Sequence, residues 1–263
     1  MLAATPVLSA CAPKLFAGEW QCEAEGGAAG AGPSEPAATD PVAVPWSTGF
    51  ENSFCDYSNV AGFCYGDQPY VSVREPSHSG HLAAKFTVLG ERARDHQTRC
   101  VRQGVLPESA YYGAWYYIPE ALEDAKLWNL FHFIGGDGPG PNNPALWDVT
   151  LVHGTQDGEW ELMVYDPVNG GSYRGADHRP IPFATWFHIE MFLKRASDST
   201  GEIALYQDGV QLFDRVNLKS DASKFTQWYV GNLTDDMAVP ADSSLYVDDI
   251  SISATLSDPS ATQ

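Results

Sequence analysis

No stretch of this chain approaches the ~20 consecutive apolar residues of a membrane-spanning helix. Basic side chains are scarce as well: 15 Lys and Arg stand against 34 Asp and Glu, a formal net charge of -19 over 263 residues. A binder of nucleic acid or of an anionic membrane surface needs a basic face that draws in phosphates, so this balance excludes both as partners. A polyanionic ligand would have to be met by local Arg and Lys in a cleft, against repulsion from the whole protein. No internal repeat is visible, and no strand pattern alternates with a long amphipathic helix as a parallel α/β sheet requires. A Ser nucleophile elbow, a phosphate-binding Gly-rich loop and a His-Glu-x-x-His metal pair are also missing.

Large side chains are nearly absent from Glu23 to Pro45, a stretch rich in Ala, Gly and Pro. Such a segment cannot bury a core and reads as a tether. Ahead of it, Leu8-Ser9-Ala10-Cys11 matches a bacterial lipobox. The apolar run before Cys11 is short and holds no Lys or Arg, so a full signal peptide is not present in the sequence as it begins. The expected organisation is a truncated signal with lipobox over 1–11, a tether over 12–45, a folded domain over 46–254 and a tail over 255–263. Lipidation of Cys11 would make the protein an exported, lipid-anchored bacterial monomer that meets the membrane only through that anchor. An unanchored extracellular leader is the alternative.

Export permits disulfides among Cys22, Cys55, Cys64 and Cys100. Cys55 and Cys64 flank a short loop and are the preferred pair, which leaves Cys22 with Cys100. Zinc is disfavoured by their spacing and by the lack of nearby His.

The domain itself is legible as strands. From Trp186 to Lys194, Phe187, Ile189, Met191 and Leu193 alternate with Trp186, His188, Glu190 and Lys194, the period of a half-buried strand. After a polar turn, Gly201 to Phe213 carries Asp208-Gly209, a tight hairpin signal. Further strands are expected at 81–89, 97–105, 111–118, 127–134, 146–153, 160–165, 203–207 and 225–230, with a short helical turn at 120–125. The pattern resembles the concanavalin A-like jelly-roll superfamily of lectins, laminin-G-like modules, glucanases and polysaccharide lyases. The resemblance implies an all-β sandwich of two antiparallel sheets. It also implies pairing of the first strand, near Trp46–Glu51, with the last, near Leu245–Ile252. In many members such edges hold a structural calcium, here between Glu51 and Asp248 or Asp249; solvated edge carboxylates are the alternative.

Alternation assigns the faces. Val101 and Val105 inside leave Cys100 and Arg102 outside; Ala114 and Ile118 inside leave Trp115 and Tyr117 outside. Phe131 and Phe133 inside put Trp128 and His132 on the other face, and in the same way Asp148 and Tyr165 point outward. Trp115, Tyr117, Trp128 and Tyr165, interspersed with Arg102, His132 and Asp148, make a candidate glycan groove, with aromatic faces for pyranose rings and polar groups for hydroxyls. His188, Glu190 and Lys194 read as a solvated face.

Three functions fit. The chain is a polysaccharide-binding protein, or a lyase cleaving a uronic-acid polymer by β-elimination, or a structural surface lipoprotein without a glycan ligand. Arg99-Cys100-Val101-Arg102-Gln103 followed by Leu130-Phe131-His132 resembles, in order, the Arg-x-Glu-Leu-Arg and Gln-Ile-His strands of alginate lyases. Leu130 replaces the Gln, and Cys100-Val101 the Glu-Leu. The resemblance implies Arg102 as the group neutralising the uronate carboxylate and His132 or Tyr165 as proton acceptor. The Glu-x-Asp-x-x-Glu strand of glucanases of this fold is absent, which disfavours a glycosidase.

Overall fold

A computed structural model describes residues 44–58, 62–72, 76–90, 96–122, 127–136, 143–221, 223–234 and 241–259. Two antiparallel sheets form the domain. One runs β13 (Val210–Leu218), β12 (Gly201–Gln207), β11 (Trp186–Lys194), β6 (Ser109–Tyr117), β15 (Ser243–Ser253), β4 (Ala83–Val88), β3 (Gln68–Ser72), with β1 (Trp46–Thr48) also on β15. The other runs β10 (Gly171–Arg174), β9 (Trp160–Asp166), β8 (Ala145–His153), β7 (Trp128–Gly136), β14 (Phe225–Thr234), β5 (Gln97–Gly104), β2 (Gly62–Gly66). A single helical turn, α1 (Cys55–Ser58), follows β1. This is the jelly-roll sandwich expected, and the first and last strands do pair, Trp46 opposite Ile252.

The core fills the space between the sheets in the order alternation demands. Phe187, Ile189, Met191 and Leu193 of β11 are fully buried, as are Tyr112, Ala114 and Tyr116 of β6. Each large apolar side chain so buried contributes roughly 1.5–3 kcal/mol. Asp208 and Gly209 take φ of 51° and 74°, the positive pair of a tight hairpin between β12 and β13. The strands β2, β3 and β10 were not anticipated. Each has 5 residues or fewer, too short for a period of two to register.

Several expectations are corrected. Cys64 is bridged to Cys100, its direct partner in the β2–β5 register, and not to Cys55. This also removes the Cys22–Cys100 pairing; Cys55 is itself disulfide-bonded. His188 and Glu190 are not solvated but 3% and 1% exposed. The His188 ring lies against Trp115 at 5.1 Å, and the segment after β15 meets Glu190, with the Ser257 amide and hydroxyl donating to its carboxylate at 3.1 and 2.8 Å. Residues 120–122 form no helix, and 123–126 lie outside the described residues. Cys11, Cys22 and most of the tether lie outside them too.

Candidate active site

The outer face of the seven-stranded sheet carries one continuous row of polar side chains. Register places Tyr165 of β9 beside Asp148 of β8, Asp148 beside His132 of β7, and His132 beside Tyr229 of β14. On β5, Arg99 reaches the same group, its guanidinium carbon 5.3 Å from the centre of the Tyr229 ring. The His132 ring meets Tyr229 edge-on at 5.5 Å. His132 Nδ1 contacts Asp148 Oδ1, and Asn129 Nδ2 donates to that same oxygen at 3.0 Å. Tyr65 of β2 closes the row, 6.5 Å from Tyr229, its hydroxyl donating to Gln97 Oε1.

Depth is graded along this row. Arg99 and Tyr229 form a nearly buried floor, His132 and Asp148 are part-exposed, and Tyr165 is 46% exposed at the rim. With Nδ1 turned to a carboxylate, the imidazole keeps Nε2 as its free nitrogen. Nothing among the described residues bonds it.

Of the residues expected in the groove, His132, Asp148 and Tyr165 are brought together. The others are not. Arg102 points into the sandwich, its guanidinium 4.0 Å from the centre of the Trp46 ring. It is Thr98, Cys100 and Arg102 that face inward on β5, with Thr98 donating to Thr87 of the opposite sheet, the reverse of the parity expected from Val101 and Val105. Trp128 is fully buried in the core. A bulge explains it: pairing with β8 slips between Asn129 and Phe131, so Trp128 before the slip and Phe131 after it both face inward. Trp115 and Tyr117 do leave the core, but on the outer side of the other sheet, where Trp115 stacks on His78 at 3.7 Å. Glu51 and Asp248 converge on one loop through backbone amides: Glu51 accepts from His81 and Leu82, Asp248 from His78 and Ser79. No cluster of three or more metal-capable side chains occurs among the described residues.

A family model described as polysaccharide lyase matches residues 47–251, spanning both sheets and the whole row from Tyr65 to Tyr229. The chain belongs to the polysaccharide lyase family. Its fold is similar to that of an endo-β-1,4-glucuronan lyase from the fungus Trichoderma reesei, at 18% identity and a TM-score of 0.56, covering 74% of this chain and 92% of that one. A PL-14 alginate lyase from Aplysia kurodai is similar at 15% identity and a TM-score of 0.54, covering 79% and 97%. The alginate lyase vAL-1 from Chlorella virus follows at 10% identity and a TM-score of 0.50, covering 70% and 90%. No curated protein matches the chain.

In this lyase-family chain the electrostatics separate the roles. Arg99 forms no ion pair among the described residues, and its Nε is buried without a partner. Burial lowers its pKa from the ordinary guanidinium value, while Tyr65, Asp148 and Tyr229 oppose that shift. A recessed guanidinium of this kind has the charge and the planar donor set that suit an anion. Burial pushes the Tyr229 phenol up to about 12, with Tyr65 raising it further and Arg99 opposing, so it keeps its proton at neutral pH. Arg99, Asn129, Tyr65 and Tyr229 were missed as site residues. Tyr229 was within reach, since Trp228 and Val230 on either side are core-sized apolar residues that turn it outward.

Proposed function

We propose that this protein cleaves a uronic-acid polysaccharide by β-elimination, with the row Arg99–Tyr229–His132–Asp148 as its catalytic centre. The observation that carries the reading is the unpaired Arg99 guanidinium beside a carboxylate-oriented histidine on one open sheet face. The proton next to a uronate carboxylate is too weakly acidic to remove until that carboxylate is neutralised; Arg99 supplies the positive charge. His132 Nε2 then takes the C5 proton, and the C5–H electron pair forms the C4–C5 double bond as the C4–O bond breaks. Tyr229, protonated and adjacent, delivers a proton to the departing oxygen. Tyr165, exposed at the rim, meets the bound sugar, and Asp148 holds the imidazole with Nδ1 inward.

Membership of the lyase family and the fold shared with glucuronan and alginate lyases support elimination over binding alone. Secretion with a lipid anchor at Cys11 would place the enzyme where such polymers are met; that part rests on the sequence. The test is incubation with a panel of glucuronan, alginate and other uronate polymers while following ultraviolet absorbance of the unsaturated product. Absorbance should rise on at least one polymer and vanish in His132→Ala. No rise on any of them, with retention of the chain in glycan-containing gels, would make it a binder instead.

A further inference from the structure

Arg102 is a guanidinium 2% exposed inside the sandwich, and no carboxylate among the described residues pairs with it. Its Nε and Nη1 are buried without hydrogen-bond partners. The same holds for three groups around it: the hydroxyls of Tyr57 and Tyr112 and the indole Nε1 of Trp228. They form one neighbourhood. Trp46 carries the guanidinium on its face and Tyr57 against its edge at 5.4 Å; Trp228 lies opposite Arg102 in the β14–β5 register; Tyr112 packs on Trp228 at 5.0 Å.

Chemistry narrows what can satisfy this cluster. Guanidinium and indole nitrogens only donate, and the two phenols keep their protons because burial drives both pKa values far above 10. The carboxylates that act on Tyr57 and Tyr112 are already committed, Asp56 to the Thr48 hydroxyl and Asp221 to Arg195, Ser223 and Thr226. Burial pulls Arg102 down only to about 10, so it stays charged at neutral pH. An uncompensated buried cation is strongly destabilising. Water would satisfy donors but leave the charge unmatched.

We infer that the core binds a small monovalent inorganic anion, of which chloride is the natural representative, between Arg102, Tyr57, Tyr112 and Trp228. It is a structural site on the inner face of β5, separated by the sheet from the catalytic row.

Melting temperature should be followed as chloride replaces sulfate at constant ionic strength. Binding to the native state alone predicts a rise of roughly 3–5 °C per tenfold chloride once the site is near saturation. Arg102→Met should melt with no chloride dependence. Because that variant can fail to fold, wild-type crystals soaked in bromide provide a second reading, with an anomalous peak expected in hydrogen-bonding reach of Arg102 Nη1. A melting temperature indifferent to chloride, a dependence retained in Arg102→Met, or only ordered water beside Arg102 would each overturn the inference. Lyase activity plays no part in these readouts.

Discussion

Arg99 and Arg102 lie three residues apart on one strand and face opposite sides of the same sheet, Arg99 over the Tyr229 ring outside and Arg102 over the Trp46 ring inside. An odd spacing on a strand produces this by itself. The two arginines therefore belong to different problems. One is an unpaired cation at the floor of a groove, the other an unpaired cation in a core.

Arg99→Ala should lower kcat/KM on a uronate polymer by about 10²–10³-fold, the usual loss when a preorganised group facing developing negative charge is removed. Arg99→Lys should recover only part of it, since a point charge replaces a planar fork. Both variants should keep a cooperative melt. Unchanged kcat/KM in Arg99→Ala would remove the residue from the site.

Tyr229→Phe separates proton donation from shape. The ring that Arg99 covers and His132 abuts is retained, while the phenolic proton held up to about 12 is lost. Turnover should fall by about 10²-fold or more, the lower range for a positioned general acid. A substrate with a good leaving group at C4 should restore most of the rate. If Tyr229→Phe loses nothing with the natural polymer, another group protonates the leaving oxygen.

The strand pattern made most of this architecture readable, because a two-residue period over nine residues, as in Trp186–Lys194, has no competing interpretation. The faces were readable only where a strand was regular. On β11 and β6 the inward sets came out as expected, whereas one slipped residue at Leu130 turned Trp128 inward and His132 outward on a single strand. On β5, Val101 suggested the wrong parity: it is buried on the outer side against its neighbours, while the polar Thr98 and Arg102 fill inner positions. Which sheet a strand joins is a long-range pairing, so nothing local could show that Trp115 and His132 end on opposite sides of the sandwich.

His188 gives the acid limb of stability a specific source. Burial, reinforced by His78 and opposed by Asp249, lowers its pKa from the usual 6.5 to about 4. Below 6.5 the unfolded chain takes up a proton that the folded one refuses, so the stability held above 6.5 is lost as pH falls toward 4. The loss should reach of the order of 2–3 kcal/mol by pH 4.5. Asp248 runs the other way: burial and Asp249 raise it to about 7, so its contribution is complete below the unfolded value and is lost as pH rises through 7. Urea denaturation of wild type and His188→Gln at pH 7 and pH 4.5 isolates the histidine. The variant should lose less stability between the two pH values, and parallel losses would assign the acid limb elsewhere.

Glu190 and Ser257 make the last prediction. The Glu190 carboxylate is almost fully buried on β11, and among the described residues its hydrogen bonds come from the Ser257 amide and hydroxyl. Burial raises its pKa, and the two Ser257 bonds hold it back. Removing residues 255–263 takes both donors away while the face around Glu190 stays largely apolar, with Tyr111, Phe192 and Tyr206 near it on β6, β11 and β12. Water reaching the uncovered carboxylate replaces part of what Ser257 gave, so the cost is about 1 kcal/mol, the low end for an acceptor deprived of its donors. The truncated chain should therefore melt lower than wild type at pH 7, and the gap should narrow toward acid pH, where the orphaned carboxyl takes up a proton. Glu190→Gln has no charge to strand, so truncation in that background should cost less. Equal costs in both backgrounds would mean that the segment stabilises the fold by covering apolar surface and not by satisfying Glu190.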